Sequence, residues 1–288
     1  YNIALDNFDE DVSLETAIDY ANIVKVDIRK FIGDSLNEHV ENLKQHNVTL
    51  LAQKIESYEE FERCKGLGFE MFQGYFFARP QLVKGRKLEQ NDLAILELLG
   101  ALSNDDASFE DLEAIIQKDP ELTLGILRIV NSSRFRRVRS ISRVSEAVAM
   151  IGLQELKKWA LLISMQKSSE KPGELLSLIL QKAKMCELAA PLYNNIDRSS
   201  AFMVGVLSGV EALLDLPLQV ILTQLPIDVD LKHALTGVKN SLGGMLKDVD
   251  NYIQGDWDTL NSNQCQQLNI CYDQALTWTQ EIQLQLHH

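Results

Sequence analysis

Histidine is nearly missing from this 288-residue chain: there are five, and two of them, His287 and His288, close the sequence and read as a tag remnant. The remaining His39, His46 and His233 are too few and too scattered for a histidine-rich metal centre, and His233, inside an amphipathic stretch, reads as an ordinary helix residue. Cysteine is sparse as well. Cys64, Cys186, Cys265 and Cys271 form no Cys-x-x-Cys pair, whereas a tetrahedral zinc site draws on close-set Cys and His pairs, so all four read as reduced structural thiols. No apolar run of about 18 residues occurs, and the N-terminus has no basic stretch followed by an apolar core. Neither a membrane span nor a signal peptide is expected, and the expected compartment is the cytoplasm. Positive charge is also short, with 28 Lys and Arg against 41 Asp and Glu for a net charge of −13. A polyanion is repelled by such a surface at long range, which argues against general nucleic-acid binding. Gly243-Gly244 lacks the glycine spacing and following lysine of a phosphate loop and reads as helix punctuation.

What is present is an ordinary globular composition, 45% hydrophobic and 24% charged, in a length that suits about two domains. Up to Pro80, short apolar β-rich runs (Asn2–Leu5, Ile23–Asp27, Val48–Ala52, Met71–Phe77) alternate with amphipathic stretches (Ser13–Ala21, Asp34–His46, Tyr58–Leu67). This is the rhythm of a parallel sheet with crossover helices. Four strands do not close an eight-stranded barrel, so the inner face needs a cover, and an N-terminal truncation is expected. A polar, basic connection over 81–88 ends the pattern. From 89 to 286 the apolar spacing is helical. Ser108-x-x-Asp111 and Asp119-Pro120 carry helix-start signals, and further helices fit Ser145–Ile151, Gln154–Gln166, Gly173–Tyr193, Ser199–Leu214, Leu231–Val238, Ser241–Ile253 and Gln264–Leu286. The expected fold is therefore an α/β partial TIM-like barrel of about four parallel strands over 1–80, a linker over 81–88, and an all-α bundle over 89–286.

Four segments of the first part, Ile3-Ala4-Leu5-Asp6-Asn7-Phe8-Asp9, Val24-Lys25-Val26-Asp27, Leu51-Ala52-Gln53-Lys54-Ile55-Glu56 and Phe72-Gln73-Gly74-Tyr75-Phe76-Phe77-Ala78-Arg79-Pro80, resemble in order and spacing the second half of EAL domains. That family hydrolyses cyclic di-GMP on a TIM-like barrel. The resemblance implies that the first segment should read DDFG and the third AEGVE, with strand-end carboxylates holding two divalent ions and activating a water. A paired-metal site needs several anionic oxygens to offset the ions' charge. Here Asp6 is kept but its neighbour is Asn7, and the glutamate of AEG is Gln53, which cannot take a proton from water. A general base usually contributes about 10²–10⁴-fold, so that exchange alone implies loss of turnover. Lys25, Glu56 and Gln73 match the family. Two readings stand for these residues: binding of cyclic di-GMP without hydrolysis, or relics at a barrel mouth. The second is favoured, because half a cavity rarely encloses a dinucleotide.

In the helical part, Asp119-Pro120-Glu121-Leu122, Leu127-Arg128-Ile129-Val130-Asn131-Ser132-Ser133, Ile141-Ser142 and Ala147-Val148-Ala149-Met150-Ile151-Gly152-Leu153 resemble the HDOD family, helical relatives of HD phosphohydrolases. HD enzymes converge histidine and an adjacent His-Asp pair on an ion. The corresponding run reads Gly205-Val206-Leu207-Ser208-Gly209-Val210, so Ser208 and Gly209 replace the pair, and the upstream helix Gln181-Lys182-Ala183-Lys184-Met185-Cys186 offers no histidine. An EAL-like part followed by an HDOD-like part resembles the EAL–HDOD signalling proteins of bacteria, a group called YuxH-like. The resemblance implies a cytoplasmic signalling scaffold without catalysis, metal or cofactor. Its partners would be other signalling proteins, with pairing of two copies through the partial barrel as a further contact and cyclic di-GMP as the alternative ligand.

One feature departs from the acidic background. Arg134, Arg136, Arg137, Arg139 and Arg143 place five guanidinium groups within ten residues. Such planar forks suit phosphate or carboxylate. The cluster is either an anion or partner contact or, as the favoured reading, a solvated loop paired with acidic helices; Phe135 alone is too little aromatic surface for a nucleic-acid stacking platform. Trp159, Trp257 and Trp278 read as core.

Overall fold

The computed structural model describes residues 1–6, 17–78, 80, 90–103, 108–131, 141–168 and 173–286. The chain divides into two compact units, Tyr1–Gln81 and Leu82–His288.

In the first unit β1 (Ala4–Leu5), β2 (Ile23–Asp27), β3 (Thr49–Ile55) and β4 (Met71–Gly74) form one parallel sheet in sequence order. Ala4 pairs with Ile23, Val24 with Leu50, and Leu51 with Met71. Parallel neighbours need crossovers, and α1 (Ser35–Leu43) and α2 (Tyr58–Leu67) supply those after β2 and β3. The period-two pattern turns Val24, Val26, Leu50 and Ala52 onto one face, where they pack with Leu36, Val40 and Leu43 of α1 and Cys64 of α2. Ser57 and Glu60 close a reciprocal capping box at the start of α2, and Gly68, at φ 96°, ends it. On the other face Ile23, Lys25, Leu51 and Gln53 are half-buried and Met71 is exposed.

The register between β3 and β4 is irregular between Ala52 and Ile55. Strict alternation would send Lys54 into the core; the extra residue of the bulge instead returns Ile55 to it, fully buried, and leaves Lys54 exposed. Lys54 accordingly adopts φ 61°, a left-handed conformation that glycine normally takes. Opposite the bulge, a Cβ on Gly74 would lie 2.5 Å from the Ile55 backbone nitrogen, so only glycine fits there.

Parallel strands with crossover helices are thus present as expected, but no closed barrel is formed by the described residues. β3 runs three residues past the expected Ala52, and β4 stops at Gly74 because Tyr75–Ala78 turns into a short 3-10 helix. Of the helix expected over Ser13–Ala21, residues 13–16 lie outside the described residues and Ile18–Tyr20 is a single 3-10 turn. The linker expected over 81–88 also lies outside them.

The second unit is helical: α3 (Gln90–Ser103), α4 (Phe109–Lys118), α5 (Pro120–Val130), α6 (Val144–Ile151), α7 (Leu153–Ser168), α8 (Gly173–Ala189), α9 (Arg198–Leu214), α10 (Leu218–Gln224), α11 (Val229–Thr236), α12 (Ser241–Gln254) and α13 (Ser262–Leu286). Local chemistry sets several of these starts. The Ser108 hydroxyl accepts from the Asp111 amide while the Asp111 carboxylate accepts from the Ser108 amide. Asp119 accepts from the amides of Glu121 and Leu122, with Pro120 at the first helical position. α9 is apolar nearly all round and buried along Ala201–Leu207, the signature of a central core helix. It packs against α8, which in turn carries α13 on another side. Among the described residues no single helix is long and apolar enough to cross a membrane.

Candidate functional site

In a parallel sheet, ligands gather at the carboxyl ends of the strands. There the first unit places Asp6 just past β1, Asp27 at the end of β2, the bulge of β3, and Gln73 near the end of β4. The side chains pair with one another. The Lys25 ammonium donates to Asp6 Oδ2 at 3.2 Å, and Gln53 Nε2 approaches Gln73 Oε1 at 3.5 Å. Arg29 forms an ion pair with Glu56, and the Lys54 ammonium donates to Asp27 Oδ2 at 2.5 Å. Asp27 is the buried member, 4% exposed, and burial alone would raise its pKa. The hydrogen bonds from Lys54 and the Arg29 amide, with the charges of Lys54 and Lys30, outweigh that and hold the carboxyl below the ordinary aspartate value.

Each of these three carboxylates, Asp6, Asp27 and Glu56, is therefore met by a cation of the same chain. Two amides and two ammonium groups stand among them, and this donor set does not fit a pair of divalent ions, which needs converging anionic oxygens. Among the described residues no group of three or more His, Cys, Asp or Glu side chains is placed to hold an ion. Asn7 lies outside the described residues. Lys54, Asp27 and Arg29 were missed in the sequence; the available signal was a lysine standing where the EAL pattern has its glycine.

In the helical unit, Ser208 sits on α9 and its hydroxyl donates to the Gly205 carbonyl at 2.8 Å. It also accepts from the Lys182 ammonium of α8 at 3.1 Å. The same ammonium lies 2.5 Å from Asp250 Oδ1 of α12. Cys186, one turn beyond Lys182, is fully buried, and burial pushes its thiol up to about 12, the nearby Lys182 charge notwithstanding. Gly209 faces α8 so closely that a Cβ would overlap the Ile179 side chain, and at Gly205 it would sit 2.5 Å from Ala183 Cα. Two glycines four residues apart thus let α8 come close, backbone against backbone at Gly205 and through the Ile179 side chain at Gly209. A second charged cluster ties α7 to α8, where Glu187 accepts from Lys158 at 2.8 Å and from Lys184 at 2.9 Å. Burial raises the Glu187 pKa, the two lysines lower it, and the lysines win.

Asn131 and Gly152, two of the residues that carried the HDOD resemblance, serve the fold, while Ser132 and Ser133 lie outside the described residues. Asn131 donates to the carbonyls of Leu127 and Ile141, each at 2.8 Å, and accepts from the Ile141 amide at 2.8 Å. Gly152, at φ 82°, turns the chain from α6 into α7. Of the arginine cluster, Arg134, Arg136, Arg137 and Arg139 lie outside the described residues, and Arg143 is the N-cap residue of α6 without a side-chain capping bond. Trp159 is buried and Trp278 half-buried, but Trp257 corrects the expectation of core tryptophans: it is 57% exposed and donates from its indole N–H to the Tyr252 carbonyl.

Comparison with known proteins bears on these observations. The family model of the HDOD domain matches residues 92–214. Over 96% of its length the chain is 30% identical to the uncharacterized protein YuxH of Bacillus subtilis, covering 71% of that protein. The chain belongs to the HDOD-domain proteins. This HDOD protein is also 30% identical, over 98% of its length, to the cyclic di-GMP phosphodiesterase CdgJ of Vibrio cholerae, covering 68% of it. Among solved structures, an HDOD domain protein of unknown function from Geobacter sulfurreducens aligns with 67% of the HDOD protein and 73% of its own chain, at TM-score 0.39 and 15% identity.

Proposed function

We propose that this HDOD protein is a non-catalytic signal-transduction scaffold of the cytoplasm, acting through protein contacts of its helical unit and of an N-terminal unit that is part of a degenerate EAL-type barrel. The observation that carries this reading is the charge cancellation at the sheet edge: Asp6 with Lys25, Asp27 with Lys54 and Glu56 with Arg29. A hydrolase needs those oxygens free to gather ions and a carboxylate base beside them, and Gln53 has no basic oxygen to offer. The same conclusion is supported in the helical unit, where Ser208 donates its proton to a backbone carbonyl and accepts from the Lys182 ammonium, which is an acid and not a base that could activate a nucleophile. The partners are other signalling proteins, and the half-covered sheet face is a surface through which two copies could pair.

A second reading, a receptor that binds cyclic di-GMP without cutting it, is favoured by the name of one relative, CdgJ. Titration calorimetry with cyclic di-GMP, run alongside chromatography of the nucleotide after incubation with Mg²⁺ or Mn²⁺, separates the readings. The scaffold predicts neither heat nor product. Micromolar binding without product replaces it by the receptor, and metal-dependent appearance of a linear dinucleotide defeats both.

A further inference from the structure

The HD fold relationship implies an ion held between helices, and the residues at the corresponding place in this chain do not fit one. The donor set there is one hydroxyl, Ser208, whose proton is committed to Gly205, and one carboxylate, Asp250. Between them stands an ammonium, Lys182, whose charge would repel a second cation. The arrangement is nevertheless that of an ion and its ligands. A positive centre on α8 receives one oxygen from α9 and one from α12, at 3.1 and 2.5 Å, and so joins three helices at a single point. Both side chains of the ion pair are mostly shielded, with 23% and 30% of their surfaces exposed.

We infer that Lys182 is a tethered replacement for the metal ion: its ammonium performs the structural task of a bound cation, cross-linking α8, α9 and α12, so that the helical unit is held together independently of divalent ions. A lysine ammonium suits the role. It is a compact point charge with three donors on a flexible stem, and it reaches oxygens on neighbouring helices much as an ion collects ligands. The close approach of α8 and α9 at Gly205 and Gly209 belongs to the same arrangement. A metal site at Ser208 and Gly209 would need a bulky ligand side chain at Gly209, in a space that Ile179 now fills. The inference concerns the helical unit alone and stands whether or not the N-terminal unit binds a dinucleotide.

The test is an exchange of cations in the full chain. Thermal unfolding is followed for the native protein, Lys182→Met, Lys182→Arg and Lys182→Glu, each with EDTA and with millimolar MnCl2. The native protein is expected to be indifferent to both additions. Lys182→Met, which keeps the stem and removes the charge, is expected to unfold about 4–8 °C lower in either condition, on the scale by which a lost partly buried pair moves the Tm of a unit this size. Lys182→Arg holds most of the native Tm. Lys182→Glu sets two carboxylates side by side and loses Tm in EDTA, but regains at least half of the loss with Mn²⁺, because a free ion then fills the place of the tethered one. A Lys182→Met protein as stable as the native one overturns the inference, as does saturable Mn²⁺ stabilisation of the native protein that Asp250→Asn abolishes. Should Lys182→Glu not fold, the contrast between methionine and arginine decides alone.

Discussion

Replacing Lys54 by glycine opposes two effects that the β3 bulge holds in balance. At φ 61° a lysine bears the penalty of a left-handed backbone, about 1–2 kcal/mol, which glycine would remove. Against this, the substitution strips Asp27 of its 2.5 Å ammonium partner while leaving the carboxylate 4% exposed, with the Arg29 amide at 3.2 Å still donating to it. A charge-assisted hydrogen bond to a buried group is worth about 1.5–3 kcal/mol, toward the lower figure here because the lysine end is 58% exposed and water can stand in for part of it. The two nearly cancel, and the net expectation is a small loss of about 0–1 kcal/mol at pH 7. The pH dependence identifies the cause. In the native protein the Asp27 carboxyl lies below its ordinary value, so its contribution is present above the unfolded aspartate pKa and is lost only as pH falls through the lowered folded value. Without Lys54, burial dominates and the folded pKa rises; the sign reverses, and the deficit of Lys54→Gly should shrink as pH falls from 7 toward about 4, where the unpartnered acid is neutral. Lys54→Gly with Asp27→Asn removes the charge and keeps the backbone relief, so it should match or exceed native stability. Chemical denaturation of the full chain, with amide exchange of β2 and β3 reporting the N-terminal unit, measures all three. A Lys54→Gly protein more stable than native by 1 kcal/mol or more, at every pH from 4 to 7, would refute the assignment of Lys54 to Asp27.

Gly74→Ala should destabilise the N-terminal unit by about 3 kcal/mol or more, because its Cβ meets the Ile55 backbone rather than a movable side chain; faster amide exchange in β3 and β4 is the readout, and native-like protection would contradict the packing. Asn131→Ala should cost about 1–3 kcal/mol in the helical unit through loss of the hydrogen bonds to Leu127 and Ile141, seen as a lowered denaturation midpoint with an unchanged slope.

The elements most legible in the sequence are those whose signals are local. β2 at Ile23–Asp27 and α2 at Tyr58–Leu67 match the expected bounds because an apolar run or a capping box defines them within a few residues. Helix α10 was not anticipated: it has seven residues and begins after Pro217, too short for a periodic pattern to stand out. The β3 bulge was illegible for a different reason, since its extra residue is fixed by what Ile55 and Gly74 do across the sheet and not by the propensity of Lys54. At the candidate sites, the substitutions at Gln53, Ser208 and Gly209 could be read directly, because a residue type either has the needed atom or lacks it. Their replacements could not: Asp250 lies 68 positions beyond Lys182 and 42 beyond Ser208, and only the folded bundle brings the three together.

The glycine pair at Gly205 and Gly209 constrains what can be built beside it as well as how the helices pack. An aspartate at Gly209 would have to push the Ile179 side chain aside, and a histidine at Ser208 would meet the Lys182 charge. Either change alone is expected to weaken the bundle before any ion could offset the loss. A pair of ligands at these positions would have to arrive together with a smaller residue at Ile179 and a neutral one at Lys182.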